Sequence, residues 1–156
     1  MCWVALLMLL PSCATEKNRR ANDIVRYVNE GILEVAPLEA EALNGYASVT
    51  GENFKSQEDV LQALESKVIP LYESFYQGLR RVPIQEEEVG RLHGLYVQAA
   101  SHMLEGFKMK RLALKTNDPR LMTAANTKIE QARAQGEQWR KRLEELCAQY
   151  GVKEDK

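Results

Sequence analysis

Residues that make turns are scarce in this chain. Its 156 residues include 9 Gly and 5 Pro, which argues against a turn-rich β-sandwich. Cysteine is scarce as well: Cys2, Cys13 and Cys147 are too few and too scattered for a disulfide scaffold. Neither sign of charge dominates. Lys and Arg number 21 against 22 Asp and Glu, a formal net charge of −1, whereas a dedicated nucleic-acid binder carries a basic surplus. The opening apolar run, Trp3 to Leu10, is far shorter than the roughly 18–20 residues that span a bilayer. What remains is 45% hydrophobic and 28% charged, the balance of one soluble globular domain with enough Leu, Ile, Val and aromatic residues to exclude disorder.

The motifs of helical metalloproteins and common enzymes are missing too. A di-iron bundle needs Glu-x-x-His on two helices, but Gly90 and Ala99 stand three residues before His93 and His102. The cysteines cannot supply the Cys-x-x-Cys-His of a c-type haem, and there is no His-x-x-x-His pair for zinc. The two histidines are nine residues apart, about 180° around a helix at ~100° per residue, so they cannot share a ligand. No Gly-rich phosphate loop and no Ser/His/Asp arrangement in recognisable context is present. No catalytic residue, metal ligand or cofactor is therefore expected. An enzyme would need a polar cluster inside the fold, and the apolar stripes show none; Asn126, beside the last stripe, comes nearest.

The first thirteen residues read MCWVALLMLLPSC. The apolar run has the length of a signal-peptide h-region, about 7–15 residues, and Leu10-Pro11-Ser12-Cys13 follows it directly. This segment resembles the lipobox of bacterial lipoproteins, with a Leu three before and a small residue just before the Cys. It departs from that pattern in having no Lys or Arg before Cys13 and in carrying Pro11. The resemblance implies a cleaved signal peptide over 1–12, a diacylglyceryl (and palmitate-type acyl) modification on Cys13, and a protein anchored in the bacterial envelope. Ala14, rather than Asp, after the Cys implies sorting to the outer membrane of a Gram-negative cell, facing the periplasm or the cell surface. The other reading of the segment is a short buried helix with Cys13 as a small core residue.

Residues 13–22 are polar after the Cys and have no core pattern. They serve as a spacer of about 30 Å if nine residues are extended at ~3.3 Å each, or they extend the first helix. From residue 23 to 151 the periodicity is helical. The first segment, 22–45, carries Ile24, Val28, Val35, Leu38 and Ala42 on one stripe with Tyr27 and Ile32 beside it; Pro37 should kink it and Asn44-Gly45 should stop it. The second opens at Ser56 with Asp59 three on, as in a capping box. Its stripe is Leu61, Leu64, Val68, Leu71, Phe75, Leu79 and Val82, with a bend expected near 66–70 at Pro70. The third, 84–115, begins with Glu86-Glu87-Glu88 and ends with Lys108, Lys110, Arg111 and Lys115, which complements the helix dipole at both ends. The fourth starts at Asp118-Pro119 and carries Met122, Ala125, Ile129, Ala132, Gly136, Trp139, Leu143, Leu146 and Tyr150 in steps of three and four, with Glu137 and Lys141 expected to pair on its flank.

These segments predict an all-α fold, an up-down-up-down antiparallel four-helix bundle, with a polar tail at 152–156. The small residues Ala125, Ala132 and Gly136 should admit a neighbouring helix closely, with Tyr72 and Phe75 filling the gap. Trp139, Tyr150, Tyr72, Phe75 and Tyr76 are expected in the core rather than around a ligand, His102 at the core boundary, and Cys147 as a small buried hydrophobe. The function expected is non-enzymatic: a lipid-anchored tether or protein-interaction module, bound to the membrane through Cys13 and to an envelope protein. The alternative is a periplasmic ligand-binding or chaperone-like module with a cleft between kinked helices.

Overall fold

The computed structural model describes residues 13–152, with side chains from Thr15 onward. The signal-peptide reading of 1–12, the side chain of Cys13 and residues 153–156 lie outside the described residues. The fold is all-α, with no strand among the described residues. In chain order the helices are α1 (Cys13–Arg26), α2 (Leu33–Ala47), α3 (Gln57–Ala63), α4 (Ile69–Leu79), α5 (Glu87–Thr116) and α6 (Pro119–Tyr150). Two π-helical segments, Tyr27–Ile32 and Leu64–Val68, join α1 to α2 and α3 to α4. Since Arg26, Leu33, Ala63 and Ile69 all keep right-handed helical dihedrals, both joins are continuous.

Neither Pro37 nor Pro70 stops its helix; each is preceded by a π turn. The Leu33 N–H bonds the Val28 carbonyl and the Ile69 N–H bonds the Leu64 carbonyl, each reaching back five residues. A proline in a helix lacks a donor and crowds the carbonyl four residues back. The π turn at Leu64–Val68 restarts the helix so that Pro70 falls in the first turn of α4, where a missing N–H has no partner to lose. The bend expected at 66–70 is where this wider turn lies. Around Pro37 the irregularity sits upstream, at Tyr27–Ile32.

The first helix also runs past Asn44-Gly45 to Ala47. Its end is fixed by side chains that satisfy the last carbonyls: Ser48 Oγ donates to the Gly45 carbonyl (2.8 Å), Thr50 Oγ1 to that of Tyr46 (2.8 Å) and Asn53 Nδ2 to that of Ala47 (3.1 Å). Other termini follow the sequence. Ser56 Oγ accepts from the Asp59 N–H at 3.0 Å, and its hydroxyl donates to the Asp59 carboxylate at 2.7 Å. Asp118 accepts from the Arg120 and Leu121 N–H groups, and Gly151 closes α6 in the left-handed region at φ 74°. Only Asn117 (φ 51°) and Asp118 separate α5 from α6.

Most of the residues expected on the core faces pack together; Leu61 and Met122 are half-buried outside the cluster, and Val60 and Val89 are buried in it instead. Ile24, Tyr27, Ile32, Val35 and Ala42 meet Leu64, Val68, Tyr72, Phe75 and Leu79, and behind them Leu92, Tyr96, Met103, Phe107, Ile129 and Leu146. Helix α5 packs along α6, α4 bridges α2 and α5, and α1 closes onto α6. The polar stretch after Cys13 is helical rather than extended: Arg20 donates to the Tyr150 hydroxyl (3.0 Å), while Arg19 lies 3.6 Å from Glu86 and Arg20 lies 3.6 Å from Glu88. On α6, Glu137 pairs with Arg140 (2.6 Å), and Lys141 points to Glu145 (3.9 Å); the expected Glu137–Lys141 pair is replaced because the guanidinium three residues on reaches the carboxylate closely.

Glycines on α5 and α6 differ in their surroundings. A Cβ at Gly106 of α5 would lie 2.7 Å from Ile129 Cγ1 and 3.2 Å from the Ile129 nitrogen, so α5 and α6 are in tight contact there. At Gly136 a Cβ would meet nothing within 4 Å. Gly106→Ala is therefore expected to destabilise by about 1–3 kcal/mol of overpacking, beyond the ~1 kcal/mol that Ala gains over Gly in a helix. Gly136→Ala meets no neighbour and should stabilise by about 1 kcal/mol. Thermal melts of the two variants against the parent check the opposite signs; a Gly106→Ala protein as stable as Gly136→Ala removes the close-contact assignment.

Candidate functional site

The lipidation candidate, Cys13, stands at the first described residue of α1, and its side chain is not among those described. The one distinctive chemical arrangement among the described residues lies instead inside the fold, where the apolar stripes predict no polar cluster. Val35, Glu39, Ala42 and Tyr46 follow each other by four, three and four, so Glu39 falls on the core-facing stripe of α2. Its carboxylate accepts a hydrogen bond from the Tyr72 hydroxyl of α4 (3.2 Å) on one oxygen, and from the Tyr96 hydroxyl of α5 on the other. Three helices thus meet at one carboxylate. Among the described residues no Lys or Arg nitrogen lies within 4.0 Å of it, whereas Glu65, Glu73 and Glu105 on the surface each hold a lysine.

Burial pushes the Glu39 carboxyl above its ordinary range, against the pull of the two tyrosine hydroxyls. The tyrosines respond in the same sense: burial and the neighbouring Glu39 charge raise both Tyr72 and Tyr96. The Tyr96 ring stacks on Trp139 of α6, with centroids 3.9 Å apart and planes 15° from parallel. The Trp139 indole interacts with Tyr27, but its buried Nε1 has no aligned hydrogen-bond acceptor. Tyr27 in turn lies edge-on to His93, its hydroxyl 3.4 Å from Nδ1. Burial lowers the His93 imidazole below its usual range, so it sits neutral beside the tyrosine. These residues form two polar contacts in the interior, Glu39 with Tyr72 and Tyr96 and Tyr27 with His93, with the Trp139 ring stacked on Tyr96.

A cavity of about 380 Å³ opens beside Glu39, with Tyr72, Tyr96, Leu43, Met103 and Ala132 among its walls and Arg133 and Glu137 at its mouth on α6. It occupies the space that Gly136 leaves empty. Tyr72 does reach the gap expected over Ala132 and Gly136, but Phe75 packs elsewhere, edge-on to Tyr72 with centroids 5.2 Å apart. The gap is therefore open rather than filled. Two hollows of similar size lie elsewhere: about 370 Å³ beside Gly45 and Lys67, with Val49 and Ala63 among its walls, and about 300 Å³ between Glu88 and Gln149, with Leu92, Leu95 and Leu146 among its walls.

The remaining candidates resolve simply. His102 Nδ1 bonds Gln135 Oε1 at 2.7 Å across α5 and α6, and His93 lies in a separate environment against Tyr27, so the two do not meet. Asn126 is exposed and accepts from Lys110 Nζ at 2.9 Å; it is not part of the interior cluster. Cys147 is buried in the core, Tyr150 is bound at the end of the fold between Arg20 and Glu88, and Tyr76 is half-buried beneath Arg80. The acidic start of α5 does more than complement a dipole: Glu86 accepts from the Glu88 N–H (3.1 Å) while Glu88 receives Tyr150. At the other end Lys110 and Lys115 reach Tyr46 and Glu65. The large apolar side chains left exposed, Val25, Leu33, Phe54 and Leu112, are scattered over separate elements.

Among the described residues no group of three His, Cys, Asp or Glu is placed to hold a metal ion, and no helix is long and apolar enough to cross a membrane. No family model, curated protein or solved structure matches the chain.

A carboxyl raised by burial binds its proton in the folded state at pH values where the unfolded chain has released it. Stability therefore falls as pH rises from about 4.5, the ordinary Glu value, through the raised value of Glu39. His93 acts oppositely: its lowered imidazole costs stability as pH drops below 6.5. Glu39→Gln keeps a side chain that can hydrogen-bond both tyrosines and removes the first effect. Urea unfolding from pH 4 to 8 should show the parent losing stability relative to Glu39→Gln as pH rises; parallel curves reject a strained Glu39 carboxylate.

Proposed function

We propose that the chain is a non-enzymatic, lipid-anchored module of the bacterial envelope, an up-down-up-down antiparallel four-helix bundle moored through acyl chains on Cys13, with the outer membrane as its site. Its role is that of a tether or interaction module for an envelope protein. The observation that carries this reading is the union of the Leu10-Pro11-Ser12-Cys13 motif with a helical segment that is tied down within two turns of Cys13. Arg19 and Arg20 engage Glu86 and Tyr150, at the start of α5 and the end of α6. Acyl chains on Cys13 would then hold a rigid body rather than a flexible leash. Two or three acyl chains give firm anchoring where a single chain gives only marginal, reversible binding. The antiparallel topology is supported by the succession of helix contacts, α2 on α4, α4 on α5, α5 on α6 and α6 back on α1.

A second reading, the periplasmic ligand-binding module, is favoured by one specific observation: the cavity beside Glu39, walled by α2 and α4, which each follow a π turn, together with α5 and α6. The two readings are compatible, since an anchored bundle can carry a ligand site.

Intact mass of membrane-fraction protein tests the anchor. The wild type should begin at residue 13 and carry a diacylglyceryl increment, and Cys13→Ala should lose the increment and leave the membrane fraction. A wild type that retains residues 1–12 and carries no acyl group overturns the anchored reading.

A further inference from the structure

Glu39 is a half-buried carboxylate that faces the cavity without a counter-charge. Among the described residues its only hydrogen-bond partners are two tyrosine hydroxyls, and no cation lies within 4.0 Å. A carboxylate taken out of water is costly unless it is paired, and a hydroxyl on each oxygen orients the group without neutralising it. The cation that lines the cavity is already engaged: Arg133 is held by Glu130 at 2.8 Å on its own helix. Glu137, the other charge at the mouth, is held by Arg140. The cavity thus offers one uncompensated negative group at its inner wall.

The rest of the wall says what kind of cation fits. Leu43, Ala99, Met103 and Ala132 present apolar surface, and the rings of Tyr72 and Tyr96 flank the carboxylate. Aromatic faces attract a weakly hydrated cation, and a volume of about 380 Å³ lies within the range of small-molecule pockets. A bare metal ion does not suit this wall. It would exchange its water shell for one carboxylate among hydrocarbon, where hard cations take six or more oxygen ligands.

We propose that the cavity between α2, α4, α5 and α6 binds a small organic cation, an ammonium group on an apolar body, with the ammonium at the Glu39 carboxylate and the body against Leu43, Met103 and Ala132. This rests on the ligand-binding reading above and names its ligand class. Glu39 supplies the charge, Tyr72 and Tyr96 hold both its oxygens in place, and Gly136 leaves the room. The Tyr96–Trp139 stack fixes the Tyr96 ring against tilting into the cavity.

Calorimetric titration of the full-length chain with 2-phenylethylamine and with its uncharged counterpart 2-phenylethanol, at pH 7, tests the assignment. The amine should bind at least tenfold more tightly than the alcohol. Glu39→Gln should reduce the amine to the affinity of the alcohol. Gly136→Leu, whose Cβ meets no neighbour within 4 Å, should place its side chain in the cavity and abolish binding of both, with its thermal melt as the control for folding. Equal affinity for the two probes in the wild type, both lost in Gly136→Leu, overturns the cation while leaving a ligand-binding cavity. Binding of neither probe by a normally melting wild type overturns both. An amine preference that survives Glu39→Gln moves the recognition away from this carboxylate and likewise overturns the proposal. Intact mass on the same preparation reports the Cys13 anchor separately.

Discussion

One carboxylate organises the interior. Glu39 lies on α2, and its two oxygens are bound by hydroxyls from α4 and α5. An apolar core packs non-directionally and tolerates small rotations of a helix. A carboxylate with two fixed donors does not, because rotating any of the three helices breaks a directional bond to a half-buried carboxylate. The aromatic residues around it extend this directional order: Tyr96 stacks on Trp139, while Tyr72 meets Phe75 and Phe107 edge-on. A residue that by hydrophobicity alone belongs on the surface therefore fixes how the helices are turned toward one another.

The π turns have to be understood together with this requirement. Each wide turn shifts the helical register by part of a turn relative to an uninterrupted α-helix. On the first helix the shift falls at Tyr27–Ile32, between the residues that bind the far end of the fold, Arg19 and Arg20, and the residue that enters the core polar site, Glu39. Both ends of one rod can then face their partners. On the second helix the turn at Leu64–Val68 accommodates Pro70 and leaves Tyr72, two residues later, directed at Glu39.

Much of the helical architecture was legible in the sequence. Apolar spacing identified the core stripes, Ser56 and Asp118 marked helix starts, and Pro70 marked an irregular turn. Those signals are local, and local physics decides them. Asn44-Gly45 misled because a helix end is set by what satisfies its last carbonyls, and Ser48, Thr50 and Asn53 do so only after the chain turns back. The interior site was not read for a similar reason. Glu39 stands at a core-facing step of α2, which is a visible signal, but a single acid on a stripe says nothing about its partners. Tyr72 and Tyr96 were visible as core aromatics, while their hydroxyls meet Glu39 only through tertiary packing. Asn126, which the pattern favoured as the interior polar residue, turned out to face Lys110 at the surface.

The two-residue link at Asn117 and Asp118 has a consequence for how the molecule is assembled. Helices α5 and α6 are the longest elements, 30 and 32 residues, and they are consecutive, so docking them closes almost no loop. Loop-closure entropy rises with the logarithm of loop length, and contacts between sequence neighbours form fastest. A long hairpin built this way is the natural nucleus of the folding reaction, and the N-terminal half then has a preformed template on which to settle. During synthesis, however, that template leaves the ribosome after the helices that pack on it, so the earlier helices must wait with their apolar faces uncovered until α6 emerges.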